Sequence, residues 1–172
     1  MRDLDVIRSY TAPELKAILG VPTMSPDKFY NIFLADDDED DTFLFQEALE
    51  QLSLSSSLVT AENGLELMKK LNSSEVVPDM IFLDMNMPVK NGLECLSELR
   101  STDTFRETPV IILSTSVAGY LLESAYNAGA NLYVQKPTSF SSLISILEKC
   151  LTKKSDLMSQ PDINDFLVAN NN

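Results

Sequence analysis

Short runs of apolar residues alternate with stretches in which apolar positions recur every three or four residues. The alternation repeats five times from Phe29 onward. The runs at 32–35, 58–61, 80–83, 110–113 and 132–134 predict strands. The stretches at 43–52, 64–71, 93–100, 120–127 and 139–151 predict amphipathic helices. Leu67, Met68 and Leu71 share one face at helical spacing, as do Leu143, Ile146 and Leu147, and all are read as core. Met80-Ile81-Phe82-Leu83 has no polar break, the mark of a strand covered on both sides. Strict strand–helix alternation implies right-handed crossovers. The predicted fold class is therefore α/β, a doubly wound five-stranded parallel sheet with helices on both faces.

The repeat bounds one domain over residues 29–151, with an extension on each side. Residues 1–28 form an N-terminal extension: Thr11-Ala12-Pro13-Glu14 fits a capping box, and Leu15, Ile18 and Leu19 line a possible short helix that Gly20 could end. Pro22 and Pro26 then make a linker. Such a segment is either loosely ordered or docks on the domain or on a second copy of it. Residues 152–172 read as a polar C-terminal tail ending in Asn170-Asn171-Asn172. Ile163, Phe166 and Leu167 offer docking contacts there, with disorder the competing expectation.

Charge changes the picture more than composition does. The formal net charge is −13 over 172 residues, which disfavours nucleic acid and anionic membranes as partners. No histidine is present, which removes the usual general base, the usual zinc ligand and any phosphohistidine. Cys95 and Cys150 make no CxxC and are expected to be reduced thiols. The first residues show no signal pattern, and no apolar run approaches the roughly 18 residues of a membrane span. The expected location is cytoplasmic.

The informative residues lie just past the strand ends. Asp36, Asp37 and Asp38 follow the first predicted strand, and Asp84 the third. Ser114-Thr115-Ser116 follows the fourth, and Lys136-Pro137 the fifth. In a parallel sheet these ends share one edge, where open α/β folds bind ligands. Crowded carboxylates raise one another's pKa, and a hard cation such as Mg2+ relieves the repulsion with oxygen ligands. Two acids from the first strand, Asp84 and a backbone carbonyl suit that ion. A bare metal site has no need of Lys136. A site that loads a phosphoryl group onto Asp84 needs both cations, with the carboxylate as nucleophile and Ser114 as donor to the new phosphate. The remaining acids, Asp38 to Asp41, are read as solvated charge at a helix start, with Asp38 or Asp40 as a cap.

The segments IFLADDDED, MIFLDMNMPVKNG, VIILSTS and LYVQKP resemble the receiver domain of two-component response regulators, from Phe29 to about Leu151. The resemblance implies a flavodoxin-like receiver fold with strand order 2-1-3-4-5. It implies that Asp84 is the phosphoacceptor and that Asp36, Asp37, Asp84 and the Asn86 backbone carbonyl hold Mg2+. It further implies that Ser114 and Lys136 contact the phosphoryl group and that Tyr133 is an aromatic switch. A cis Lys136–Pro137 peptide is also expected. Thr115 stands where the family usually has a small residue, which should slow phosphoryl turnover. The implied partner is a sensor histidine kinase or phosphotransfer protein, which supplies the missing phosphohistidine, and output runs through protein contact and a possible homodimer. The chain would be no enzyme beyond its own phosphorylation and slow self-dephosphorylation. The switching face is expected around Tyr120 to Leu147. A phosphate shuttle and a non-phosphorylated binding module are the alternatives. An EF-hand read from Asp36 fails because Asp41 stands where glycine is needed. A phosphatase with an Asp nucleophile fails because Asn86 replaces the second acid.

Overall fold

The computed structural model describes residues 28–170. The expected helix at Leu15 to Leu19 and its docking lie outside the described residues. Strands β1 (Phe29–Ala35), β2 (Ser55–Ala61), β3 (Met80–Asp84), β4 (Val110–Ser114) and β5 (Leu132–Gln135) pair in parallel in the order β2-β1-β3-β4-β5. That is the predicted fold class. The register lines up the strand ends: Ala35 lies beside Leu83 and Ala61, Asp84 beside Leu113, and Ser114 beside Gln135.

Both faces of the sheet are covered, as its unbroken apolar strands require; every residue of β3 and β4 is buried. Helices α1 (Glu39–Gln51), α2 (Gly64–Ser73), α3 (Gly92–Ser101), α4 (Gly119–Asn127) and α5 (Phe140–Thr152) follow β1 to β5 in turn. Side-chain alternation along the strands splits the core in two. Phe33, Ile81, Leu83 and Ile112 pack with Leu67, Met68 and Leu71 of α2, Leu96 and Leu99 of α3, and Ala125 of α4. Ile32, Leu34, Phe82 and Ile111 pack with Phe45 and Leu49 of α1 and with Leu147 and Leu151 of α5. Leu143 and Ile146 are partly buried against the second layer. Cys95 and Cys150 are free thiols in opposite layers. Burial pushes them up to about 11 and about 12, as expected of inert reduced cysteines.

Two boundaries differ from the sequence reading. α1 starts at Glu39, four residues before the predicted start, because the Asp38 carboxylate accepts the N–H groups of Asp40 and Asp41. α3 starts at Gly92, one residue before the predicted start, because Asn91 and Glu94 form a reciprocal capping box. A turn lies just upstream, where Lys90 N–H donates to Pro88 O at 2.7 Å across Val89, whose φ is +67°. For a β-branched residue that γ-turn is strained.

The sheet also carries a sixth strand where five were expected. After α6 (Lys154–Leu157) and a 3-10 turn (Ile163–Asp165), β6 (Leu167–Val168) pairs in parallel with the outer edge of β5. Phe166 is 1% exposed and packs edge-on to Tyr126, with ring centroids 5.1 Å apart. Hydrogen bonds tie the segment to α4 and to the loop that follows it. Gln160 donates to the carbonyls of Tyr126 and Ala130, and Pro161 O accepts the Tyr126 hydroxyl. A polar tail is thus part of the fold. Among the described residues no helix is long and apolar enough to cross a membrane.

Candidate functional site

The aligned register brings together the residues that follow β1, β3, β4 and β5. β1 delivers Asp36, whose side chain is 3% exposed, and then the exposed Asp37. β3 delivers the buried Asp84. One carboxylate oxygen from each of Asp36, Asp37 and Asp84 lies within 4.8 Å of the others. Three hard oxygen donors at that separation fit a small oxygen-preferring cation. Asn86, two residues past Asp84 on the loop, has an exposed side chain.

Gly92 is what lets the loop and α3 sit so close to Asp84. A Cβ at Gly92 would collide with the Asp84 carbonyl oxygen. The reason for a glycine there is close backbone approach rather than a turn.

β5 delivers Lys136 across the top of the sheet. Its Nζ donates to Asp36 Oδ2 and to Asp41 Oδ2, both at 2.8 Å, and lies 3.4 Å from Asp84 Oδ1. The backbone is fixed as well, because Lys136 N–H donates to Ser114 O at 2.8 Å. Ser114 is 1% exposed, and its Oγ accepts the N–H of Ser116 at 3.2 Å. Thr115 is exposed. Tyr133 is fully buried, and its hydroxyl donates to Ser116 O at 2.7 Å. The aromatic ring expected to switch is therefore turned inward here, with Phe166 6.2 Å away, centroid to centroid.

The expected cis peptide is a correction: the Lys136–Pro137 bond is trans. Trans is favoured intrinsically by about 0.5–1 kcal/mol even before proline. Here the Lys136 carbonyl also accepts a hydrogen bond from Asn170 Nδ2 at 3.1 Å, beside a bond from Asn170 N–H to Gln135 Oε1.

The electrostatics follow from burial and crowding. Burial raises Asp84 to about 6, with Asp36 and Asp37 adding to the rise and Lys136 opposing it. Asp36 is raised by burial too, against the pull of Lys136 and of the Asp38 N–H. Burial pushes the Lys136 ammonium down, but its bonds to Asp36 and Asp41 outweigh that and leave it raised. Tyr133 is raised by burial. The site thus gathers crowded carboxylates around one ammonium that its partners hold protonated.

The structure places Asp36, Asp37, Asp84, Ser114 and Lys136 at the one sheet edge where the strand order put them. Sequence reasoning missed Asp41, which it read as solvated. The signal was present: Asp41 precedes Phe45 by four residues and Ala48 by seven, so it lies on the buried stripe of α1. It also missed Asn170, whose bond to Lys136 O depends on a tail fold that no periodicity announces.

A family model described as "Response regulator receiver domain" matches residues 32–148. Over 72% of its length the chain is 34% identical to the phosphorylated cyanobacterial phytochrome response regulator RcpA, covering 94% of that chain with a TM-score of 0.66. Over 70% of its length it is 27% identical to the Mn(2+)-bound form of response regulator Rcp1, covering 91% of that chain with a TM-score of 0.63. It is 27% identical over 127 residues to the sensor histidine kinase CheAY of Helicobacter pylori, and spans 16% of that much longer protein.

Proposed function

The chain belongs to the response regulator receiver domain family of two-component systems, and from that premise we propose that Asp84 accepts a phosphoryl group from a sensor kinase phosphohistidine. The observation that carries this reading is the single edge at which Asp84, Asp36 and Asp37 share space within 4.8 Å while Lys136 stands 3.4 Å from Asp84. Asp36, Asp37 and Asp84, with the Asn86 carbonyl, would hold Mg2+. When bound, that ion supplies positive charge to the transferring phosphoryl oxygens.

The residues of the chain do the rest. An Asp84 carboxylate oxygen forms the new bond to phosphorus as the bond from phosphorus to the donor's imidazole nitrogen breaks, and the electron pair stays on that nitrogen. With a pKa of about 6 before any metal binds, Asp84 is ionised at neutral pH and ready to attack. Lys136 offers an ammonium to the incoming charge, and the Ser114 hydroxyl donates to a phosphoryl oxygen. Acylphosphate formation then biases the loop from Ser114 to Ser116, and with it Tyr133, whose hydroxyl is bonded to that loop. Output is contact with another protein, and the chain catalyses nothing beyond its own phosphorylation and slow dephosphorylation.

The test is labelling with acetyl phosphate, with and without Mg2+, read by intact mass. The expected result is one Mg2+-dependent phosphoryl adduct that is absent from Asp84→Asn. Full labelling of Asp84→Asn would sink the assignment. No adduct on properly folded wild type would leave a receiver fold used only as a binding surface.

A further inference from the structure

Asp41 has no part in the phosphotransfer just described, yet it holds the lysine that does. Its Oδ2 lies 2.8 Å from Lys136 Nζ, the same distance as Asp36 Oδ2. Asp36 and Asp84 are members of the trio that fits a metal, and Asp41 is not. The start of α1 sets its aim: the Asp38 carboxylate fixes the Asp41 N–H, and Asp41 stands one turn before the buried Phe45. Its side chain is 42% exposed against 3% for Asp36, so it sits at the solvent side of the same ammonium.

Two cations compete for Asp36. An ammonium hydrogen-bonded to that carboxylate repels a dication arriving on the same group. The side chain of Lys136 is only 17% exposed, so losing Asp36 without another anion in reach would leave a largely buried charge unpaired. That penalty opposes metal entry. Asp41 removes it, because the ammonium already touches a carboxylate that lies outside the metal trio. Its exposure screens the pair, so the hold is weak enough for the ammonium to pass on to a phosphoryl oxygen.

We propose that Asp41 is a positioning residue that keeps Lys136 when Mg2+ takes Asp36, Asp37 and Asp84, and so sets the metal affinity of the site. The inference rests on the metal-assisted phosphotransfer reading, but its test does not need phosphorylation. Mg2+ is titrated by calorimetry into the full chain at neutral pH. Asp41→Asn is expected to weaken Mg2+ binding roughly five-fold, and Asp41→Glu to restore most of it. In a Lys136→Met background, with Lys136→Gln as a second, the same Asp41→Asn change is expected to alter affinity by less than about two-fold. Equal losses with and without the lysine would reduce Asp41 to one more negative charge and overturn the proposal. No loss in the Lys136 protein would overturn it as well.

Labelling by acetyl phosphate supplies the second readout. The Mg2+ concentration for half-maximal rate should rise in Asp41→Asn by the same factor as the calorimetric constant, while the rate at saturating Mg2+ stays within about two-fold of wild type. A fall in the saturating rate with an unchanged Mg2+ requirement would contradict a positioning role. A wild type that shows the calorimetric pattern but takes up no phosphoryl group overturns the phosphotransfer reading alone.

Discussion

Asp84 makes the metal-free protein less stable than its fold would otherwise be. Its carboxyl is raised from 3.8 to about 6, chiefly by burial and further by Asp36 and Asp37. The sign follows from linkage. The folded state holds the Asp84 proton more tightly than the unfolded chain does, so ionisation opposes folding. The penalty is fully present above pH 6 and is relieved as pH falls through 6 toward 3.8. At about 1.4 kcal/mol per pKa unit it amounts to about 2–3 kcal/mol at neutral pH. In a chelator-containing buffer, Asp84→Asn should therefore raise the thermal midpoint at pH 7.5, and the gain should shrink steadily between pH 6 and 4. A variant that melts lower than wild type, or whose gain ignores pH, would contradict this account of the cluster. The placement of Asp84 was legible because a buried run ended in an acid. The burden it carries was not, since that comes chiefly from how deeply the fold buries the carboxylate, which a one-dimensional pattern does not measure.

Among the elements, β6 departs furthest from what the sequence announces. Two residues cannot display a period, and the segment before them is rich in Ser, Gln, Asp and Asn, the composition of a solvated tail. What holds the strand is a single large ring and a few polar groups that satisfy backbone partners. Tyr133 N–H donates to Phe166 O at 2.9 Å, and the Phe166 ring lies between Tyr126 and Tyr133. Phe166→Ala should cost about 3–4 kcal/mol in urea unfolding, since it empties a site that is 1% exposed. A loss below about 1 kcal/mol would mean that the tail contributes little to the folded state. Helix α2 was legible for the opposite reason: Leu67, Met68 and Leu71 recur at helical spacing on one buried face. Tyr133 links this element to the site. Its ring contacts Phe166 on one side and its hydroxyl bonds the Ser116 carbonyl on the other, so rotation of that ring requires the tail to accommodate it.

The whole molecule divides its labour along the strand order. The acid cluster stands on β1 and β3, while the tail stands on β5, two strand spacings of roughly 4.8 Å beyond β3. Stability and metal binding should consequently be separable. Removing residues 159–172 takes away β6 and Phe166, exposes the edge of β5 and should lower the thermal midpoint at least as far as Phe166→Ala does. Among the described residues, no hydrogen bond of Asp36 or Asp84 comes from that tail, which meets the site at the Lys136 carbonyl through Asn170 and at the Tyr133 ring through Phe166. Ligand linkage then makes a definite demand. At a Mg2+ concentration tenfold above the dissociation constant, binding adds about 1.4 kcal/mol to stability. That increment should be the same in the full chain and in the truncated one to within about 0.5 kcal/mol, as for sites that do not share partners. Urea titrations of both proteins with and without Mg2+ measure it. An increment that collapsed with the tail would mean that Asn170 holds Lys136 where the metal site needs it, so that β6 belongs to the site and not only to the scaffold.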